Sequence, residues 1–349
     1  MPRVSVVIPV YNAAEFLPRT LGDLSAQSLR DFEVICVDDE SSDASPELIA
    51  AYARTDPRFR LIRQPNGGST AARNRGLDAA TGSYVVFLDA DDAFEPSLLE
   101  QVSGRLDDSG ADVCLYNGSV LTDDGTVLDG RYLRRQFLPE APVFAPSVVA
   151  DNLFQLVTPA VWLRMFRRSF LVEAGLRFTP GQIPDDICFT ADSLAAADSI
   201  TVIDEVFIRY RVGHAGAATS RWDERPLAFE EALDDLAARL AARGQLETYG
   251  HSFRVLCLDA ISHVMRRLVT DAARDRLQSE LESRLLAKYG LDTLRPGSVA
   301  LGPLRADLKV FQGSARVEAA APDHHPGSRW ERTIGAVRRR LRRLRGPAR

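Results

Sequence analysis

The strongest constraint on this chain is a change of hydrophobic period that repeats through its first half. Short runs of β-branched and apolar residues alternate with segments whose apolar residues recur every three or four positions. Val4–Val10 (VSVVIPV) is the first run, and Phe16, Leu17, Leu21 and Leu24 follow it at helical spacing. Phe32–Asp39 (FEVICVDD) is the second; after it comes a helical segment that Ser42 or Asp43 would cap, with Pro46 in its first turn. Phe59–Arg63, a helix over Thr70–Ala80 and the run Tyr84–Asp92 continue the series. Strand and helix in this order predict an α/β chain with a mainly parallel sheet flanked by helices on both faces. After Ala111–Gly118, an Asp124-Gly125 turn between two small apolar runs predicts a hairpin, so the sheet becomes mixed.

Beyond Trp222 the pattern changes. Leu227, Leu233, Leu236 and Leu240, then Val255, Leu258, Ile261, Met265 and Leu268, keep a period near 3.6 and predict a helical appendage. The expected organisation is an α/β domain over 1–220, the appendage over 221–290, a Pro/Gly-rich loop region over 291–328 and a basic tail over 329–349. That tail holds nine arginines against Glu331, a charge of +8, which leaves −13 for the preceding 328 residues of a chain whose total is −5. Trp330, Ile334, Val337, Leu341 and Leu344 form one apolar stripe along it, a pattern suited to an anionic bilayer interface or to docking on the acidic body. Nucleic acid is not expected as a partner, since no base-stacking or groove-reading module accompanies the arginines. No apolar stretch of about 18 residues occurs, so the expected location is the cytoplasm, with the tail on the inner face of the plasma membrane. Cys36, Cys114, Cys188 and Cys257 are isolated among apolar neighbours and read as buried thiols, neither disulfides nor zinc ligands.

Open sheets of this kind bind ligands beyond the carboxyl ends of their strands. The polar clusters lie at those ends: Tyr11 and Asn12 after the first run, Asp38 and Asp39 in the second, and Asp89-Ala90-Asp91-Asp92 in the fourth. Adjacent carboxylates repel, so such a cluster calls for a cation or many hydrogen-bond donors. Mg²⁺ or Mn²⁺ suits it, because these ions take few carboxylates together with phosphate oxygens and water. A solvated turn is the alternative reading.

Four segments, VSVVIPVYNAAEFLPRTLGDLSAQS, FEVICVDDESSD, ARNRGLDAATGSYVVFLDADD and PDDICF, resemble in order the inverting family 2 glycosyltransferases of GT-A fold. The resemblance covers about residues 3 to 215. It implies that Asp39, and in some members Asp38, accepts a hydrogen bond from the uracil N–H of a UDP-sugar, with Pro9, Tyr11 and Asn12 lining the base pocket. Tyr11 could equally be packing, and a helix cap is the alternative for Asp39. Arg73 would stand near the diphosphate, with Arg75 as its rival and a surface ion pair as its bland reading. Asp89 would touch the ribose side and Asp91 bind the metal, supported by Asp92.

In Asp185-Asp186 the second acid resembles the base that deprotonates the acceptor hydroxyl. The family's usual Glu is Asp185 here, one methylene shorter, and an acidic helix N-terminus is the alternative. Trp162–Arg168 resembles a stretch packed under the acceptor cleft, and Arg211 or His214 would assist the metal site. The implied activity is metal-dependent inverting transfer of a sugar from a nucleotide-sugar to a glycan, polyol or lipid-linked acceptor in polysaccharide or cell-envelope synthesis. A sugar-nucleotide pyrophosphorylase would need a Gly-rich basic loop where YNAAEF stands, and a dehydrogenase a G-x-G-x-x-G after a strand. A relative that binds without turnover is the third alternative.

Overall fold

The computed structural model describes residues 1–122, 124–128, 132–182, 184–212 and 222–314. Its first strand, β1 (Val4–Val10), buries Val4, Val6, Val7, Ile8 and Val10, on both faces of the sheet. A strand covered on both faces needs such a continuous apolar run. Helix α1 (Leu17–Ser25) leads to β2 (Phe32–Asp38), α2 (Ser45–Thr55) to β3 (Phe59–Arg63), and α3 (Gly68–Ala79) to β4 (Tyr84–Phe87). All four strands run parallel. After β5 (Ala93–Phe94) and α4 (Leu98–Ser109), the long β6 (Val113–Thr122) pairs with the short β7 (Val127–Leu128) across the Asp124-Gly125 turn, the hairpin the sequence predicts.

The remaining strands are β8 (Val143–Phe144), β9 (Arg164–Arg167) and β10 (Ile200–Val212), with α5 (Arg168–Glu173) and α6 (Ile187–Ala196) around them. Strand order along the sheet is β3-β2-β1-β4-β9-β6-β10-β5. Strand β9 runs antiparallel between β4 and β6, while β10 lies parallel to β6. The sheet is therefore mixed but mainly parallel, as expected. Helices α7 (Phe229–Ala242), α8 (Leu246–Arg267) and α9 (Asp271–Glu280) follow, and their buried residues join the same core as the sheet.

Several expectations are corrected in detail. Strand β4 stops at Phe87 and does not extend to Asp92. The chain turns there, because Thr20 Oγ1 donates to the carbonyls of Ala90 and Asp92 and holds the acidic loop away from the strand line. Residue Ala44 occupies the N-cap of α2; Asp43 instead accepts the N–H groups of Ser45 and Ala14, tying the helix start to the loop after β1. The loop expected over 291–328 contains a helix, Gly302–Lys309, continued by a π-turn at Val310–Ser314. Pro303 starts it, and Leu304 and Leu308 bury one four-residue step against the core, a signal too short to stand out in Pro/Gly-rich sequence. Residues 315–349, which carry His324, His325 and the basic tail, and 213–221, with His214, lie outside the described residues. Among those described, no helix is long and apolar enough to cross a membrane. All four cysteines are buried thiols.

Candidate active site

Helix α3 sets the site because it lies unusually close to β1. A Cβ at Gly76 would come within 2.2 Å of Val7 Cγ1, so only glycine lets the helix backbone rest on the strand. One turn earlier on the same helix Arg73 is 4% exposed and lies between two acidic loops. Its Nη2 donates to Asp89 at 2.8 Å, and its Nη1 donates to Asp185 at 2.5 Å. Ser69, also on α3, donates to the same Asp185 oxygen. Thus α3 joins the acidic loop after β4 to the loop before α6. The arginine meets two buried-edge carboxylates, not the surface ion pair of the bland reading.

The charges respond to this enclosure. Burial opposes the charge on Arg73, but Asp185, Asp89 and Asp186 outweigh it and hold the guanidinium ionised more firmly than usual. Burial also works to raise Asp185, and Arg73 with Ser69 overcomes it, leaving this carboxyl below its ordinary range. For Asp186, burial and then the charge of Asp185 prevail over Arg73 and Arg164, pushing its pKa up to about 7. The two neighbours are thereby driven apart, one a firm carboxylate and the other a proton acceptor near neutrality.

Burial, only partly offset by Arg73, raises Asp89. Burial followed by the charges of Asp91 and Asp89 raises Asp92 much further. Asp92 Oδ1 accepts the Arg211 N–H at 2.9 Å, while Oδ2 is buried with no hydrogen-bond partner. Among the described residues no three Asp, Glu, His or Cys side chains form a ready-made metal cage. Crowded hard oxygens with an unsatisfied buried atom nevertheless fit a Mg²⁺ or Mn²⁺ ion that takes one or two carboxylates and completes its shell from a ligand. Arg211 reaches this loop too, donating from Nε to the Asp91 carbonyl at 3.0 Å.

At the β1 and β2 ends, Asp39 is 3% exposed and its carboxylate caps the approach to α3. Oδ1 accepts from Gln64 Nε2 at 2.7 Å and from the Gly67 N–H at 2.9 Å; Oδ2 accepts the Gly68 N–H at 2.8 Å. The helix-cap reading is thus realised, and any base N–H has to share Oδ2. Asp38 is fully buried against Arg63 and the Ser41 N–H. Asn12 adopts φ 50°, and its side-chain oxygen accepts the Ser42 N–H at 2.8 Å. Tyr11 projects from this corner, 57% exposed, so it is not packing. Pro9 is half-buried at the end of β1.

Two residues near the acid pair escape sequence reading. Ser69 sits at the start of α3 in a Gly-Gly-Ser run, a weak hint of an exposed helix N-terminus. Arg164 is 1% exposed on β9, its Nε and Nη1 lack hydrogen-bond partners, and it lowers Asp186 by its charge. An arginine inside the apolar run Trp162–Phe166 is the sequence sign of such a buried charge. The same run supplies Trp162, which stacks on Tyr210 with ring centroids 5.2 Å apart.

The model of glycosyl transferase family 2 matches residues 5–171, from β1 into α5. EpsH of Bacillus subtilis (strain 168), which bears the provisional name of glycosyltransferase, is 30% identical over 256 residues, 71% of this chain and 72% of that protein. The succinoglycan biosynthesis protein ExoO of Rhizobium meliloti (strain 1021) is 35% identical over 215 residues, 58% of each. A crystal structure of S. aureus TarS in complex with UDP shares the fold at a TM-score of 0.62 and 19% identity, covering 89% of this chain and 87% of that one. The mixed, mainly parallel sheet between helices matches the GT-A fold of that structure. The chain belongs to glycosyl transferase family 2 and is a glycosyltransferase.

Proposed function

We propose that the chain transfers a sugar from a UDP-sugar to a hydroxyl of a glycan, polyol or lipid-linked acceptor by single displacement with inversion, in the synthesis of an extracellular or envelope polysaccharide. The observation that carries this reading is the convergence of Asp89, Arg73, Asp185 and Asp186 at one sheet edge, with Asp186 at about 7 beside a firmly ionised Asp185. Asp186 takes the acceptor hydroxyl proton as the oxygen bonds to the anomeric carbon, and the bond from that carbon to the phosphate oxygen breaks. Nucleoside diphosphate departs on the opposite side. A base of this pKa is poised to accept a proton near neutral pH.

Asp91, supported by Asp92, would hold the divalent cation, and Asp89 the ribose side of the donor. When bound, Mg²⁺ or Mn²⁺ neutralises charge developing on the departing diphosphate. The positive field of Arg73 reaches the same place while it bridges Asp89 and Asp185. Tyr11, Asn12 and Pro9 frame the base, and Asp39 offers the remaining acceptor capacity of Oδ2. The polysaccharide assignment draws on relatives whose names state it, ExoO for succinoglycan and, at 36% identity over 156 residues, the Erwinia amylovora glycosyltransferase AmsB for amylovoran.

Release of nucleoside diphosphate from a panel of UDP-, GDP- and dTDP-sugars, with and without Mn²⁺, tests the proposal. UDP-sugar turnover that depends on the cation, with an inverted product, is the expected result. Retained configuration would remove the single displacement, and no turnover of any donor would leave a nucleotide- or glycan-binding relative.

A further inference from the structure

The acid pair lies on a segment that the family match does not reach, residues 177–182 and 184–186, and helix α3 holds only one side of it. On that side Asn74 exchanges two hydrogen bonds with the Phe178 backbone, at 2.7 and 3.0 Å, while Ser69 and Arg73 grip Asp185. The opposite side rests on α7. There Asp235 Oδ2 accepts from Thr179 Oγ1, from Gln182 Nε2 at 3.1 Å and from Cys188 Sγ at 3.4 Å. Thr179 and Gln182 precede the acid pair and Cys188 follows it, so one carboxylate oxygen gathers the chain on both sides of Asp185 and Asp186.

Arg239, one turn along α7, fixes that carboxylate. Its Nε and Nη2 donate to both Asp235 oxygens at 3.1 and 3.0 Å, its Nη2 also reaches Thr179 Oγ1 at 2.8 Å, and its Nη1 donates to the Arg177 carbonyl at 3.3 Å. The same Nη1 donates to Asp192, a carboxylate 1% exposed on α6, at 3.1 Å. The arginine thus bonds the segment, the helix after it and its own helix. Gln182 adds a bond to the Glu231 carbonyl at 3.3 Å.

We propose that Asp235 and Arg239 are positioning residues for the acid pair, clamping both ends of its segment against α7 so that Asp186 meets the acceptor hydroxyl at bonding distance. The inference rests on the reading of Asp186 as the base. Its physical content is that a general base loses about 10²-fold when displaced by 1 Å, and among its described residues this segment carries Gly181 at φ 80° and only a long turn bond of its own, from the Gln182 N–H to the Thr179 carbonyl at 3.5 Å, to resist that. It also makes a helix far along the chain part of the catalytic assembly.

The experiment compares kcat and KM for Asp235→Asn, Thr179→Val, Asp186→Asn and Asp234→Asn. The donor is whichever nucleotide-sugar in the UDP, GDP and dTDP panel the wild-type chain turns over fastest, and each variant is assayed as its folded, monodisperse fraction. Asp234 sits next to Asp235 on α7 but pairs with Lys288, away from the acid pair, and serves as the control. Asp235→Asn should lower kcat by about 10- to 100-fold with the donor KM within about threefold, and Thr179→Val, which opens the clamp from the segment side, should repeat the split at smaller size. Asp234→Asn should keep the wild-type kcat. If Asp186→Asn is inactive while Asp235→Asn and Thr179→Val stay within about twofold of wild type, the positioning role is wrong and the base stands. An equal loss in Asp234→Asn assigns the effect to helix α7 as a whole and overturns the proposal, and an active Asp186→Asn removes both readings.

Discussion

On the proposal that Asp186 is the base, only its carboxylate acts, and a pKa pushed up to about 7 should place the onset of transfer near neutral pH. Burial and the charge of Asp185 raise this group, so kcat is expected to climb through neutrality and level off above it. The charges facing Asp186 are Asp185 beside it, Asp89 after β4, Arg73 on α3 and Arg164 on β9. Asp185 raises Asp186, so Asp185→Asn should move the acid limb of the kcat profile to lower pH; a limb that stays in place would separate the profile from this pair. Asp186→Asn should lower kcat by about 10²- to 10⁴-fold and leave donor affinity unchanged, read by titration of the nucleotide-sugar. Mn²⁺ should raise the Tm of the wild type, since an ion that binds only the folded state stabilises it, and Asp91→Asn should abolish both that rise and transfer. A normal Mn²⁺ shift in that variant would place the ion elsewhere. At this scale the sequence shows which acids end strands, because strand runs and acid clusters abut in the chain. It does not show that Arg73 bonds both Asp89 and Asp185, or that Ser69 bonds Asp185, since those contacts join residues 16 to 116 positions apart.

The close seat of α3 on β1 gives the clearest prediction for an element. Gly76→Ala puts a methyl group into Val7, and either the helix lifts or the strand shifts; overpacking of this kind costs about 1–3 kcal/mol. Urea unfolding should show that loss, and kcat should fall with it because Arg73 rides on the same helix. Wild-type stability in Gly76→Ala would mean that the helix yields without cost. Strands β1 and β3 are legible in the sequence to the residue, because apolar runs end where polar residues begin. Strand β9 is not: Trp162–Arg168 is apolar enough to read as core, and nothing local says that four of its residues reverse direction between β4 and β6. The helix Gly302–Lys309 is hidden for a different reason, a single pair of leucines amid glycine and proline.

For the whole molecule, the basic tail outside the described residues carries the remaining proposal, contact with an anionic membrane where lipid-linked acceptors reside. Deleting Ser328–Arg349 should spare transfer to a small water-borne acceptor and reduce pelleting with anionic vesicles. Arginines near such a surface contribute about 1 kcal/mol each where they face it, and the apolar stripe adds a component that salt does not screen. Full-length chain should therefore bind less at high salt without losing binding entirely; equal pelleting of both chains would sink the idea. The place of β9 has a further consequence for how the molecule is made. In a nascent chain whose strands β1 to β4 pair as they emerge, the outer edge of β4 would lack its partner until Arg164–Arg167 is synthesised some 80 residues later. Over that interval the nascent chain presents an unpaired apolar strand, the kind of edge that recruits another chain. A fragment ending near residue 160 should accordingly aggregate or depend on a chaperone, while one that continues past α7 emerges with that edge closed and both acids clamped.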